Sequence, residues 1–288
     1  MIKTPTPLQS LQHPILEEKM LKIWVKRDDL TDSEIMGNKW RKLKYNIEEA
    51  KYLGKESMVT MGGAFSNHIA ATAAAGSRFG FKTIGIIRGE ELNSDSNHTL
   101  RAAEKHGMKL NFVDRAVYRD FRADPSSIVE SYPKAYFLPE GGTNDLAIKG
   151  CEEILDEIDI LYDLVICPVG TGGTFCGLAA ALRKNASLLG ISALKGNFIK
   201  SEVRVLLKRQ GISNPNLTIN TQYHFGGYAK RNAELLEFMD WFEETFSISL
   251  DPVYTAKSFF AVWDMVKSDK FEKNLRIILL HSGGLQGR

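Results

Sequence analysis

Short apolar runs recur along this chain, several passing through a glycine-bearing turn into a longer helix-patterned segment. Few folds accommodate that pattern. Met58-Val59-Thr60-Met61 runs into Gly62-Gly63, and an alanine-rich helix follows from Ile69 to Phe79, with Gly80 as its C-cap. Thr83 to Ile87 reads as the next strand, Ser96 to His106 as a helix stopped by Gly107, and Lys109 to Val113 as a further strand. This is the pattern of a parallel βαβαβ unit. A second region starts near Gly150, with a helix over Cys151 to Ile160 and a strand over Asp163 to Cys167. A helix over Phe175 to Lys184 and strands over Leu189 to Leu194 and Leu275 to Leu280 continue it. The lone strand Lys22 to Val25 has no helix partner and is expected to join this second region. The fold class is therefore α/β with mostly parallel sheets, and 288 residues suffice for two modest domains. The expected division is a larger, discontinuous domain of residues 1-44 plus 150-288 and a smaller one of residues 45-149.

Charge and composition exclude several function classes. The 37 basic and 35 acidic residues are interspersed and leave a net charge of +2, which implies no nucleic-acid or membrane partner. No apolar run approaches the roughly 18–20 residues of a membrane helix, and residues 1–20 lack the apolar core of a signal peptide. Cys151, Cys167 and Cys176 have no metal-ligand spacing and suit a reducing cytosol, so a cytoplasmic protein without metal is expected.

Val165-Ile166-Cys167 leads into Gly170-Thr171-Gly172-Gly173-Thr174 and then a helix. Glycines let consecutive N–H groups turn toward an anion, the helix N-terminus adds favourable partial charge, and Thr171 and Thr174 add hydroxyl donors. A dinucleotide fingerprint would need Gly where Phe175 stands, and a nucleotide P-loop would need Lys where Leu178 stands. Lys39, in Gly37-Asn38-Lys39-Trp40-Arg41-Lys42, opens a helix expected over Trp40 to Tyr52. An amine must be uncharged to condense with a carbonyl, and burial near other cations lowers a lysine pKa. The bland reading of Lys39 is a solvated lysine at a helix start, and Lys42 competes for the same role. Ser66-Asn67-His68 follows a strand and opens a helix, where a carboxylate would be favoured or where Ser66 simply caps the helix. His68 is assigned no role. Tyr254, in Asp251-Pro252-Val253-Tyr254-Thr255, and Tyr228, in Phe225-Gly226-Gly227-Tyr228, are candidate acid–base groups or ordinary turn tyrosines. His281-Ser282-Gly283-Gly284 adds a hydroxyl near the C-terminus.

An amine for covalent attachment, a polar turn for a carboxylate, a phosphate cradle and a C-terminal hydroxyl are the parts that pyridoxal 5'-phosphate requires. In order and over nearly the whole chain, from Lys26-Arg27-Asp28-Asp29 to Gly283-Gly284, these motifs resemble one family. It is that of 1-aminocyclopropane-1-carboxylate deaminase and D-cysteine desulfhydrase, tryptophan synthase β-like enzymes of pyridoxal-phosphate fold type II. The resemblance implies two three-layer α/β domains, a homodimer and a small amino acid as substrate. It makes Lys39 the lysine that bonds the cofactor and places Asn67 beside the ring and its 3′-oxygen. Ser66 would hold the substrate carboxylate or act as an acid–base hydroxyl. The run Gly170, Thr171, Gly172, Gly173 and Thr174 would bind the phosphate, Ser282 would face the pyridine nitrogen, and Tyr254 and Tyr228 would line the substrate side.

The chain departs from the family pattern at informative places. Cyclopropane deaminases carry Glu where Thr255 stands, whereas the desulfhydrase branch has Thr there. A neutral hydroxyl at Thr255 or Ser282 keeps a pyridine nitrogen protonated far less than a carboxylate does. Phe65 replaces the usual Gln and is expected to make the pocket rim more apolar. The expected reaction is β-elimination of the D-cysteine desulfhydrase kind, giving a 2-oxo acid and ammonia. Cyclopropane opening to 2-oxobutanoate is the alternative within the class, and a non-catalytic protein binding the cofactor or another anion is the alternative outside it.

Overall fold

The computed structural model describes residues 1–285. Ten strands run through them: β1 (Leu8–Ser10), β2 (Lys22–Arg27), β3 (Ser57–Gly63), β4 (Lys82–Arg88), β5 (Met108–Val113), β6 (Ala135–Leu138), β7 (Leu164–Val169), β8 (Ser187–Ser192), β9 (Leu217–Asn220) and β10 (Arg276–His281). They form two sheets. The smaller has the order β5-β4-β3-β6 and is parallel throughout. The larger has the order β1-β2-β10-β7-β8-β9 and is parallel except at β1, which runs antiparallel to β2. β2 and β10 are neighbours, with Arg276 opposite Lys22 and His281 opposite Arg27, so the two ends of the chain meet inside one sheet.

Continuous apolar runs make parallel strands because both faces of such a sheet are covered. In β10 the side chains alternate between two cores. Ile277 and Leu279 pack with Phe242 and Phe259, which come from the helices Ala233–Phe246 and Thr255–Lys267. Ile278 and Leu280 face the other way, onto Cys151, Phe175 and Val203 of the helices Asp145–Asp156, Gly173–Ala180 and Phe198–Arg209. The smaller sheet is covered likewise. Met58 packs against Leu43, Ile47, Ala71 and Ala75 on one side, and Val59 and Met61 meet Tyr118 and Ile128 on the other.

Most expected elements occur with shifted ends. The helix expected at Cys151 begins at Asp145, because the Asn144 side chain accepts the Ala147 N–H at 2.9 Å and starts it earlier. The helix expected over Phe175 to Lys184 spans Gly173–Ala180. The strands β1, β6 and β9 and the helices Arg115–Ala123, Ser126–Ser131 and Phe198–Arg209 carried no sequence signal that was read.

Parallel strands deliver their carboxyl ends to one edge of a sheet, where α/β proteins build their sites. β3 ends at Gly63, just before Ser66, while β7 and β10 end at Val169 and His281, just before Gly170 and Ser282. The helix Asn38–Tyr52 is fixed at its start by a buried ion network. Arg41, fully buried, meets Asp28 at 3.0 Å and Glu157 at 2.5 Å, and Lys26 meets Glu157 at 2.6 Å. The helix Asp145–Asp156 lies so close that a Cβ on Gly150 would stand 1.9 Å from the Arg41 carbonyl oxygen. No helix among the described residues is long and apolar enough to cross a membrane.

Candidate active site

Lys39 enters the site through an unusual turn. Gly37 has φ +64°, and a Cβ there would lie 2.1 Å from the Ser282 carbonyl oxygen, so the turn needs glycine on both counts. The Asn38 N–H donates to that same oxygen at 3.1 Å, which ties the lysine turn to the C-terminal loop. The Asn38 side chain accepts from the Lys39 amine at 2.6 Å and donates to Thr174 Oγ1 at 2.9 Å. One amide therefore links the lysine to the glycine loop across 136 residues of sequence. Burial, reinforced by the charge of Lys42, brings the Lys39 amine down to about 7.

The glycine loop lies opposite. Gly172 has φ +86° and precedes the helix Gly173–Ala180, whose first N–H groups have no side-chain cap. A Cβ on Gly173 would stand 2.9 Å from Thr143 Oγ1 and 3.1 Å from the Lys42 amine. Lys42 is buried, donates to the Gly141 carbonyl at 2.9 Å and to Thr143 at 3.2 Å, and is lowered from its ordinary pKa by burial. Thr143 and Thr171 share a hydrogen bond of 2.6 Å. Cations, hydroxyls and free helix N–H groups converge here, which suits a phosphate. An anion placed among them would favour the charged form of Lys42.

Ser66 caps the helix Asn67–Phe79 through a long bond of 3.4 Å from the Ile69 N–H, and it also lines the cavity. Capping therefore does not remove Ser66 from the cavity. Asn67 lies at the base of the cavity, where a Cβ on Gly284 would meet its Nδ2 at 2.6 Å. His68 is buried beside it. Thr60 donates its hydroxyl proton to the Leu138 carbonyl at 2.9 Å, so His68 Nε2–H must donate to Thr60 at 2.9 Å. Its Nδ1 is a bare acceptor with no partner among the described residues. Burial, with Lys42 and Lys39 near, keeps the ring neutral by holding its pKa well below 6.5.

Ser66, Asn67, Gly170, Thr171, Gly172, Thr174, Tyr254 and Ser282 line the same cavity as Lys39. Burial raises the Tyr254 phenol well above 10, so it stays protonated and keeps its O–H available to donate. Tyr228 stands at the outer mouth, its ring edge-on to Tyr254 at 6.2 Å, with its phenol pushed up by burial to about 12. Thr255 is turned away. Its hydroxyl donates to Asp251 Oδ2 at 2.8 Å and accepts from the Asp251 N–H at 2.8 Å, which places it beneath the cavity. Asp251 also accepts the N–H groups of Val253, Tyr254 and Thr255, and its carboxylate is thereby engaged in starting the helix Thr255–Lys267. Phe65 is exposed at the outer rim. Sequence reasoning missed Asn38, Thr143 and the pairing role of Lys42. The run Glu140-Gly141-Gly142-Thr143 was a legible turn signal that went unused.

Two mostly parallel sheets with a half-buried lysine and a glycine loop at their carboxyl edges define the architecture of a pyridoxal-phosphate enzyme. The sequence comparisons agree. A family model described as pyridoxal-phosphate dependent enzyme matches residues 1–283, and the chain belongs to that family. It is 32% identical over 304 residues to a Thermotoga maritima protein provisionally named 1-aminocyclopropane-1-carboxylate deaminase, covering 98% of this chain and 95% of the relative. It is 27% identical to the D-cysteine desulfhydrase of Klebsiella pneumoniae, covering 99% and 93%. The crystal structure of an ACC deaminase homologue superposes with a TM-score of 0.86 at 26% identity, covering 99% of this chain and 91% of that one.

Proposed function

We propose that this protein is a lyase that removes the β-substituent of a small amino acid of the D-cysteine type and releases ammonia and a 2-oxo acid. One observation carries the choice: among the described residues, no carboxylate lines the cavity that holds Lys39. Ser282 supplies a hydroxyl, Asp251 is engaged in starting a helix, and Thr255 is turned away. Elimination needs only a carbanion at Cα with a leaving group beside it. Opening a cyclopropane ring breaks a carbon–carbon bond and leans harder on a protonated pyridine nitrogen.

Pyridoxal phosphate, when bound, supplies the electron sink for that carbanion. The protein supplies position and protons. Gly170 to Thr174 and Lys42 would hold the phosphate, and Asn67 and Ser282 would position the ring from the same cavity. Ser66 and the first N–H groups of the helix Asn67–Phe79 take the substrate carboxylate. Lys39, close to half neutral near pH 7, carries the cofactor and then receives the Cα proton. Tyr254, held protonated, donates toward the departing group.

The test compares kcat/KM for D-cysteine and for 1-aminocyclopropane-1-carboxylate on one preparation. A deficit of a few kcal/mol in transition-state stabilisation makes ring opening slower by about two to three orders of magnitude. Faster turnover of the cyclopropane acid overturns the choice. Borohydride reduction of the loaded protein should place the pyridoxyl label on Lys39, and a label on Lys42 would reverse their roles.

A further inference from the structure

We infer that the substrate of this site carries a second negative charge at the end of its side chain, and that Arg88 receives it. This rests on the lyase reading above and narrows its substrate class.

Arg88 ends β4 and lies opposite Gly63, the last residue of β3. Because Gly63 has no side chain, the guanidinium lies over it. Arg88 Nη2 is 3.4 Å from where a Cβ would stand, and the Tyr228 ring is 3.8 Å from the same point. The position is the outer half of a cavity of about 170 Å3. Its inner half is formed by Ser66, Gly170, Thr171 and Tyr254, which also line the cofactor cavity. An amino acid held at Lys39 and Ser66 therefore extends its side chain toward Arg88.

The charges of this wall are unequal in their commitments. Glu140 is taken by Arg122 at 2.9 Å and by the Tyr118 hydroxyl at 2.7 Å, and Glu202 is taken by Arg122 at 2.8 Å. Arg88 forms no ion pair among the described residues, and its Cζ lies 5.6 Å from the centre of the Tyr118 ring. Arg119 and Lys230, on the outer rim, are also without ion pairs among the described residues. These three cations share one mouth without a salt-bridge partner among the described residues, and the innermost, Arg88, carries a planar fork that matches a carboxylate, sulfate or phosphate. A solvated arginine at a strand end is the ordinary alternative. Arg88 is exposed, as such an arginine would be, but its guanidinium lies over Gly63, lines the cavity and has no ion pair among the described residues, while Glu140 and Glu202 are both held by Arg122.

The chemistry balances without a further reactant. With O-sulfoserine or O-phosphoserine the Cα proton passes to the protein, the Cβ–O bond breaks, and its electron pair leaves with sulfate or phosphate. The remaining 2-aminoacrylate takes up water and gives pyruvate and ammonium.

The test uses the holoenzyme in two arms. Calorimetry compares aspartate with 2-aminobutanoate, its neutral counterpart of similar length, using both enantiomers. Turnover compares O-sulfoserine and O-phosphoserine with 3-chloroalanine, and so separates sulfate from phosphate as the preferred terminus. Aspartate should bind about tenfold or more tightly than 2-aminobutanoate, and R88Q should lose that preference while R88K regains part of it. Melting temperature checks that R88Q stays folded. Equal binding of aspartate and 2-aminobutanoate by the native enzyme overturns the inference, and turnover of 3-chloroalanine in the same preparation leaves the lyase reading intact. An equal loss for both ligands in R88Q also overturns it, since Arg88 would then hold the α-carboxylate. Absence of turnover with every substrate refutes the lyase reading, while the calorimetric arm still decides the role of Arg88.

Discussion

A lysine is nucleophilic near neutral pH only where its surroundings penalise the charged amine. Lys39 meets that condition through burial first and the Lys42 charge second, which together bring it to about 7. The folded amine therefore releases its proton at a lower pH than the unfolded one. Cofactor capture by the apo-protein should be flat above about pH 7 and fall about tenfold per unit below it, as the neutral fraction falls. The same sign means that the apo-fold gains stability as pH rises from about 7 toward 10.5, and that K39A removes this gain along with cofactor attachment. Stopped-flow absorbance across pH and thermal melts of the two proteins check both statements. A capture rate independent of pH between 5 and 8 would show that the amine is not the group titrating. Gly172 gives a second expectation at this scale. A valine there forces a disfavoured φ and puts its Cβ 2.6 Å from the Val203 side chain. G172V should cost about 1–3 kcal/mol of stability and weaken cofactor binding by at least about tenfold, because the cradle N–H groups turn away. A titration that finds unchanged affinity would place the phosphate elsewhere.

At the scale of elements, the helix Asn38–Tyr52 owes its placement to a buried ion network more than to its own propensity. Arg41 is held between Asp28 and Glu157, and Lys26 adds a further contact to Glu157. Burial would raise Glu157, but hydrogen bonds from Arg41 and Lys26 outweigh it and hold the carboxyl at about 2. Its contribution is complete above the ordinary carboxylate range near 4.5 and is lost as pH falls toward 2. Replacing Arg41 by leucine leaves buried Asp28 and half-buried Glu157 without their main partner and should cost about 3–5 kcal/mol. Urea unfolding at pH 7 measures this. A loss below 1 kcal/mol would mean that water reaches the carboxylates and that the network is not what positions Lys39.

For the whole molecule, the site exists only because two sheets meet. Ser66 and Asn67 come from the end of β3 in the smaller sheet, while Gly170 to Thr174 and Ser282 come from β7 and β10 in the larger. β2, though early in sequence, shields β10 along its full length. Deleting residues 1–27 should therefore expose the edge of β10, remove Lys26, and yield insoluble or non-cooperatively unfolding protein. Soluble yield and a urea transition decide the point. A truncated protein that folds cooperatively and binds pyridoxal phosphate would show that β2 is dispensable.

Local chemistry was legible wherever a rule acts over a few residues. Short apolar runs next to turn residues revealed β3, β4, β5, β7, β8 and β10. Strands such as β6 and β9, four residues each, are too short for periodicity to separate them from loop. The motifs at Lys39, Ser66-Asn67, Gly170 to Thr174 and Ser282 were readable because each combines glycine or a cap with one functional group. Relations between distant segments were not. Nothing near Thr255 reveals that its hydroxyl binds Asp251 beneath the cavity, and nothing near Asn38 reveals Thr174 as its partner. The neutral state of His68 and the lowered pKa of Lys39 depend on how much water the fold excludes and which cations it brings near. Desolvation and Coulomb energies act through space rather than along the chain, so packing alone decided which of the legible residues share one cavity.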